Sequence, residues 1–436
     1  MTQSEFIAVI DLGTSKIKGV VGRKNENNVI SILASEVIDS GNSIRRGVVY
    51  NIEEAGASIR KLLTMLENSI GQKIGKVYVS LTGQSLHTME IRETKALSSG
   101  EIVTQEVVDQ LNYSAAKFTP DLKRNYAVGD VEYFIDGKPD KNPVGVTGSE
   151  IEASYQIVVG RPNLLSNIEK SVAGKAKLPI AGYIVGSLAS AEVSLNEEEK
   201  ELGCAFIDFG AGTTTISVYK DSILRRTVVI PFGGKTITKD ISALNLTESD
   251  AEQLKLKYGK ATETRENSLF SSPFSSKPDV DHSELIRVIA LRLDEITANI
   301  SEQIRLSGYE NKLGAGVVIT GGASQLKNLS EYLTQKLKMP VRKATAKKSY
   351  INNAPDLLND PSFTQALGML LLGEENCMLD TEPVVNDNLD NQDTKRGKSE
   401  SKTGSKENKK TKKQQKQGFI SIFEDAFGKM FSDEDE

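Results

Sequence analysis

AFIDFGAGTTTISV, residues 205–218, decides how the chain is read. An apolar run ends at Asp208, Gly210 and Gly212 let the backbone fold back, and Ile216 and Val218 resume an alternation of period two. The pattern predicts strand, tight turn, strand. Its chemistry suits an anion: glycines allow main-chain N–H groups close to a phosphate, and Thr213, Thr214 and Thr215 add hydroxyl donors. Asp208 can hold a hydrated divalent cation beside it. An ordinary hairpin favours the same residues, so this turn alone does not separate the two readings. An echo near the N-terminus favours the phosphate reading. FIAVIDLGTSKIKGVV, residues 6–21, repeats the plan with Asp11, Gly13, Thr14 and Ser15, then alternation through Ile17 and Val20. Two such units, one in each half, predict two related lobes whose turns face one nucleotide.

The 436 residues carry 54 Lys and Arg against 59 Asp and Glu, a formal net charge of −5, and 38% are apolar. That is enough for two or three domains with buried cores, and the acidic balance argues against a mainly nucleic-acid-binding surface. Cys204 and Cys377 form no metal or redox spacing and are expected as reduced thiols of a cytoplasmic protein. His87 and His282 are equally isolated, which excludes a histidine metal cluster and disfavours a His-based triad. With no signal-type segment and no run of about 18 apolar residues, neither secretion nor a membrane span is expected.

Strands and turns are expected over 31–50, a helix over 52–66 and a strand over 77–82. From about 84 to 160 the pattern predicts a separate small α+β insert. There Thr104 caps a helix with Val107, Val108, Leu111, Ala115 and Phe118 on one face, Asp136-Gly137 marks a hairpin, and 151–159 alternates as a strand. Further helices are expected over 163–176, from near Thr236, over 249–258 and, capped by Ser283, up to Gly308. Gly233-Gly234-Lys235-Thr236 is no P-loop, because the first glycine of that motif would fall at Val229. Residues 262–283 are expected to form a Ser-rich loop. VVITGGAS, 317–324, is a third strand ending in glycines, either a close approach to a ligand or a plain strand-to-helix connection. Residues 380–417 are polar and expected to be disordered, with ten Lys and Arg against two acidic residues between Lys395 and Gln417.

Three glycine-bearing strand ends in order, at Asp11, Asp208 and Gly321, resemble those of the actin, heat-shock-chaperone and sugar-kinase superfamily of ATP-binding proteins. Within it, IAVIDLGTSKIKGVVG, NPVGVTGSEIEASYQIVVG, LASAEVSLNEEEKELGCAFIDFGAGTTTISVY, LKLKYGKA and VVITGGASQL resemble the FtsA family of bacterial cell-division proteins. The resemblance implies an α/β, actin-like two-lobed ATPase fold of duplicated ribonuclease-H-like domains. Residues 1–83 and 164–193 would be subdomain 1A, 84–163 the FtsA-type 1C insert, 194–257 and 311–379 subdomain 2A, and 258–310 subdomain 2B. A disordered basic linker, 380–417, and an amphipathic membrane-targeting helix, 418–431, would follow.

Carried over residue by residue, the resemblance implies a first phosphate loop of Gly13, Thr14, Ser15 and Lys16 and a second of Gly210, Gly212, Thr213 and Thr214. Asp11 and Asp208 would position Mg2+ through water, Gly233 and Gly234 would lie beside the nucleotide, and Glu252 and Lys255 would meet ribose and adenine. Gly321, Gly322 and Ser324 would form the adenosine turn. ATP and Mg2+ are the implied cofactors. Ser187 stands where hydrolytic relatives place a Glu or Gln that orients the attacking water, and Thr215 where an Asp is common. A hydroxyl is a poor general base at neutral pH. At most weak ATPase activity is therefore expected, with ATP chiefly a structural ligand holding the lobes together.

Placed at 100° per residue, Phe419, Ile420, Ile422, Phe423, Ala426, Phe427, Met430 and Phe431 fill one arc and Ser421, Glu424, Asp425, Gly428 and Lys429 the other. Fourteen helical residues reach about 21 Å, short of a hydrocarbon core of roughly 30 Å, so the helix is expected to lie in the membrane surface. The basic linker would be drawn to anionic lipid of the inner leaflet; docking on a partner is the alternative reading of the same stripe. By family resemblance the chain polymerises as an actin-like filament on the cytoplasmic side of the cell membrane at the division septum. There it would anchor FtsZ, whose C-terminal peptide meets residues 258–310 with Arg292 as a contact, and help recruit later divisome proteins. The rival from another class is a small-molecule kinase of the same superfamily, which needs a carboxylate base in a sugar-sized cleft.

Overall fold

The computed structural model describes residues 5–262 and 281–379. In each half an uninterrupted apolar strand, the mark of a strand covered on both faces, seeds the same five-stranded pattern. In the first lobe β1 (Ile7–Leu12), buried along its whole length, turns into β2 (Lys16–Lys24) and β3 (Ile30–Asp39), an antiparallel meander. A two-stranded ribbon, β4 (Ile44–Arg45) and β5 (Val48–Val49), leads into α1 (Ile52–Ile70). Asn51 caps α1 by accepting from Glu54 N–H, and Gly71, at φ 68°, ends it. β6 (Val77–Leu81) then lies parallel to β1.

The insert follows as β7 (His87–Ile102), α2 (Gln105–Lys117), β8 (Arg124–Ile135), β9 (Lys138–Asp140) and β10 (Thr147–Gly160). α3 (Asn163–Glu169), widened into a π-helical turn over Lys170–Ala176, returns the chain to β11 (Ile180–Val185). The first sheet then reads β11-β6-β1-β2-β3. α4 (Gly186–Ser194) and α5 (Glu197–Leu202) cross to the second lobe, where β12 (Cys204–Phe209), β13 (Thr214–Lys220) and β14 (Ile223–Ile230) form another meander. α6 (Gly234–Ser242), α7 (Glu248–Tyr258) and α8 (His282–Leu306) precede β15 (Gly316–Thr320), and α9 (Leu329–Leu337) precedes β16 (Val341–Lys343). After α10 (Pro355–Asn359) the chain returns to β1, β2 and β6 of the first sheet as α11 (Thr364–Leu372), leaving the second lobe. Its strands run β16-β15-β12-β13-β14, the order of the first sheet strand for strand, again with the outer two parallel to the first. The lobes are duplicates in topology.

One apolar core, with Ile10, Ile59 and Leu62, fills the first lobe and runs on to one face of the second sheet at Phe206 and Val318; another, with Ile207, Ile289 and Leu293, lies on the other face of the second sheet. The insert has a third, around Val107, Leu111, Ile151 and Tyr155. Its sheet is nevertheless not separate. β7 pairs with β14 at His87 and Val228, Thr227 N–H donates to Thr88 Oγ1 at 2.9 Å, and Arg225 pairs with Glu132. The insert's strands thus extend the second lobe's sheet to nine. Covalently the insert belongs to the first lobe, so it is tied to both.

Several local expectations change. The cap of α8 is Asp281, whose carboxylate accepts from Ser283 N–H at 3.1 Å; an anionic side chain outcompetes Ser283 at a positive helix end. Phe118 leaves the apolar stripe because α2 stops at Lys117, and it is 37% exposed. The helix of 163–176 changes pitch after Glu169, and the one expected near Thr236 starts at Gly234. The Ser-rich loop over 263–280, the basic linker and the terminal helix with Phe419, Ile420, Phe423, Phe427, Met430 and Phe431 lie outside the described residues.

α4 and α11 cross at the lobe junction with backbone against backbone: a Cβ on Gly368 would lie 1.9 Å from Ala189 O. Gly368→Ala should therefore force the helices apart, at about 1–3 kcal/mol for overpacking, and lower Tm measurably. Gly174→Ala, at an exposed position where a Cβ meets nothing closer than 3.7 Å, should leave Tm nearly unchanged. Equal melting of the two variants would show that the crossing tolerates separation.

Candidate nucleotide-binding cleft

The turns that join β1 to β2 and β12 to β13 are built alike: Gly13 N–H donates to Lys16 O at 3.1 Å, and Gly210 N–H donates to Thr213 O at 2.9 Å. They face each other, so that a Cβ on Gly212 would come within 2.7 Å of Thr14 Oγ1. Between the lobes opens a cleft of about 910 Å³. From the first lobe Asp11, Gly13, Thr14, Ser15 and Lys16 line it, and from the second Asp208, Gly210 and Thr213. Gly234, Glu252, Lys255, Gly321 and Gly322 line its far part. Four residues of the expected set do not line it. Thr214 is buried and donates to Phe232 O at 2.9 Å, Ser324 is buried and donates to Gly321 O at 2.7 Å, and Gly212 and Gly233 pack against Thr14 and Gly210 O. Each supports a turn whose neighbours reach the cleft.

The carboxylates sit at equivalent strand ends. Asp11, buried, accepts from Ser80 Oγ at 3.1 Å and from Gln365 Nε2; Asp208 accepts from Ser190 Oγ at 3.2 Å. Burial raises the pKa of both, and the charge of Asp11 pushes Asp208 further, to about 6, against the opposing pull of Lys18. At the end of β15, Gly321 adopts φ 86°, which favours glycine, and any Cβ there would lie 2.3 Å from Asp208 Oδ1. Among the described residues no group of three or more His, Cys, Asp or Glu could ligate a metal directly. A buried and a half-buried carboxylate that repel one another fit a cation that keeps most of its water, as Mg2+ does.

Cations complete the lining. Lys235 reaches from the second lobe to donate to Thr14 O at 3.0 Å, an ammonium beside the first phosphate turn. Lys255 donates to Gly234 O at 3.0 Å and to Thr238 Oγ1 and Glu252 Oε2, each at 2.7 Å. Burial lowers its pKa while Glu252 opposes the change. Lys16 turns outward to pair with Asp39. Lys18, Ser80, Ser190, Lys235 and Gln365 all escape sequence reasoning. Only Lys235 carried a local signal, its Gly-Gly-Lys-Thr setting, which fails as a P-loop because the segment is instead the start of α6. Arg292 lies on α8 away from the cleft, with its guanidinium forked onto Asp240 of α6 and paired with Glu295.

A folded carboxyl near pH 6 rather than at its ordinary 3.8 holds its proton more tightly than the unfolded chain does. Its contribution to stability therefore falls as pH rises from about 4 through 6. Asp208→Asn removes that loss. Without nucleotide or divalent cation, Tm of the variant should exceed that of the parent at pH 7.5 and approach it at pH 4.5. A parent that is the more stable protein at pH 7.5 would mean that Asp208 is not held against its charge.

The family described as Cell division protein FtsA matches residues 205–368. Cell division protein FtsA of Porphyromonas gingivalis is 35% identical over 330 residues, 74% of this chain and 68% of the relative. That of Neisseria meningitidis serogroup B is 30% identical over 84% of this chain and 90% of the relative, and that of Escherichia coli K12 27% over 86% and 91%. Among solved structures, the PilM-PilN type IV pilus biogenesis complex is similar with a TM-score of 0.58 at 16% identity, covering 84% of this chain and 98% of that one. The ethanolamine utilization protein EutJ from Carboxydothermus hydrogenoformans gives 0.50 at 15%, over 85% and 91%. With the duplicated sheets, these likenesses show the actin-like ATPase fold. On the identity and coverage shared with its relatives, the chain belongs to the FtsA family of cell-division proteins.

Proposed function

We propose that the cleft binds ATP with Mg2+, and that bound nucleotide holds the two lobes of a membrane-attached division protein in one arrangement. The observation that carries this reading is the facing pair of like turns, each with a carboxylate at its strand end. Thr14, Ser15 and Thr213 supply N–H and hydroxyl donors for phosphate oxygens, Gly13 and Gly210 close the turns that present them, and Lys235 adds a cation from the second lobe. Asp11 and Asp208 hold the hydrated Mg2+, which offsets their repulsion and neutralises phosphate charge. Glu252, Lys255, Gly321 and Gly322 line the part of the cleft left for ribose and base. A ligand that touches both lobes stabilises their closed arrangement by mass action. Ser187 and Thr215 present hydroxyls where a strong base would be needed for fast hydrolysis, so turnover is slow.

The remaining roles rest on the family and on the sequence of the tail. The apolar arc of residues 419–431 lies in the inner face of the cell membrane, and the basic linker adds attraction to anionic headgroups. The protein assembles with itself through the insert, recruits later divisome proteins and anchors filaments of FtsZ at the septum. Arg292, half-buried between α8 and α6, offers a guanidinium for an acidic peptide, which would have to displace Asp240 or share it. No helix among the described residues is long and apolar enough to cross a membrane.

One sedimentation experiment with anionic vesicles and radiolabelled ATP tests both halves. The parent should pellet with lipid and carry ATP when Mg2+ is present. Phe423→Glu with Phe427→Glu should leave the protein in the supernatant with ATP binding intact, because burying each Phe is worth roughly 1.5–3 kcal/mol and charge reverses it. Asp208→Ala should pellet but carry at least about tenfold less ATP, the equivalent of 1.4 kcal/mol. A double Glu variant that still pellets would assign the helix to a protein partner, and undiminished ATP on Asp208→Ala would remove the carboxylates from the nucleotide site.

A further inference from the structure

The first turn of α4 lacks the carboxamide or carboxylate that could direct a water molecule, since Ser187 is too short to reach far into the cleft it lines. The space it leaves is filled from another helix. Gln365, on the first turn of α11, lines the same cleft, and its carboxamide lies so close over Gly186 that a Cβ there would be 2.4 Å from Gln365 Cδ. Its orientation is fixed by chemistry. Asp11 can only accept, so the hydrogen bond between them places the Gln365 NH2 group on Asp11. That leaves Oε1, for which no hydrogen-bond donor is found among the described residues, as an acceptor beside the carboxylate pair.

We propose that Gln365 is the positioning residue for the water that attacks the terminal phosphoryl group of bound ATP, an inference that rests on the ATP reading of the cleft. Oε1 accepts one O–H of the water and turns an oxygen lone pair toward phosphorus. The water oxygen forms the new P–O bond, the bond from phosphorus to the bridging oxygen breaks, and its electron pair leaves on the diphosphate. The proton passes to an oxygen of the phosphate produced. An amide takes up no proton, so Gln365 orients and does not act as a base, in keeping with slow turnover. Nε2 keeps Asp11 in place meanwhile, so a single side chain joins the carboxylate that faces the cation to the water that faces phosphorus. The function that relatives place at the start of α4 is then performed from α11, across the helix crossing.

The test measures, on the full chain, ATP affinity by calorimetry with Mg2+, Tm, and cleavage of bound ATP in a single turnover. Gln365→Ala should keep ATP affinity within about threefold and slow cleavage by about tenfold or more, a loss expected of misplaced reactants. Adding Ser187→Gln to that variant should restore much of the rate, because it returns a carboxamide to the same space from the facing helix; a merely structural role for Gln365 would not be rescued from α4. The Tm values report whether each variant is folded. Cleavage by Gln365→Ala at the parent rate, or a rate unmoved by Ser187→Gln, overturns the proposal and leaves the ATP reading intact, as does a parent that binds ATP without cleaving it. A parent that binds no ATP overturns both.

Discussion

Two carboxylates at matching strand ends repel each other, and the molecule holds each in place with a donor from one of two crossing helices. Asp208, on β12 of the second lobe, accepts from Ser190 of α4, the helix that crosses to that lobe and meets β12. Asp11, on β1 of the first lobe, accepts from Gln365 of α11, which packs on β1, β2 and β6. The two helices cross at Gly368 and Ala189 with no side chain between them. A shift of one lobe against the other therefore acts at the crossing of the two helices that hold the carboxylates. The polar centre and the mechanical junction are one structure.

From that junction the rest of the geometry follows. Duplicate sheets place two like turns at the mouth of one cleft, so donors converge on a ligand from both sides. The insert does not lie outside this arrangement. β7 leaves the first lobe directly after Leu81, Thr82 and Gly83, which line the cleft, and pairs with β14, whose Val229 lines it too. A protein whose assembly surface is the insert would thus have that surface fastened to both walls of its nucleotide site.

Much of this was legible because the signals were local. The turns at Gly13 and Gly210, the apolar strands leading to Asp11 and Asp208, and the stripe of α1 are all written within about twenty residues. What was missed depends on residues distant in sequence. Gln365 meets Asp11 across 354 positions and Lys235 meets Thr14 across 221, and no periodicity records such pairs. Thr214 shows the opposite failure: its motif is right, but alternation along β13 turns its hydroxyl away from the cleft and leaves Thr213 and Thr215 to face it. The continuity of the insert with the second sheet was hidden because strand pairing between distant edges leaves no mark on either strand.

The central claim, that one nucleotide is gripped by both duplicated turns at once, is tested most directly by amide hydrogen exchange with and without ATP and Mg2+. The account predicts that protection rises together over residues 11–16 and 208–215, since each turn donates N–H groups to the same phosphates. Protection confined to one of the two turns, or arising elsewhere with both unchanged, would contradict it.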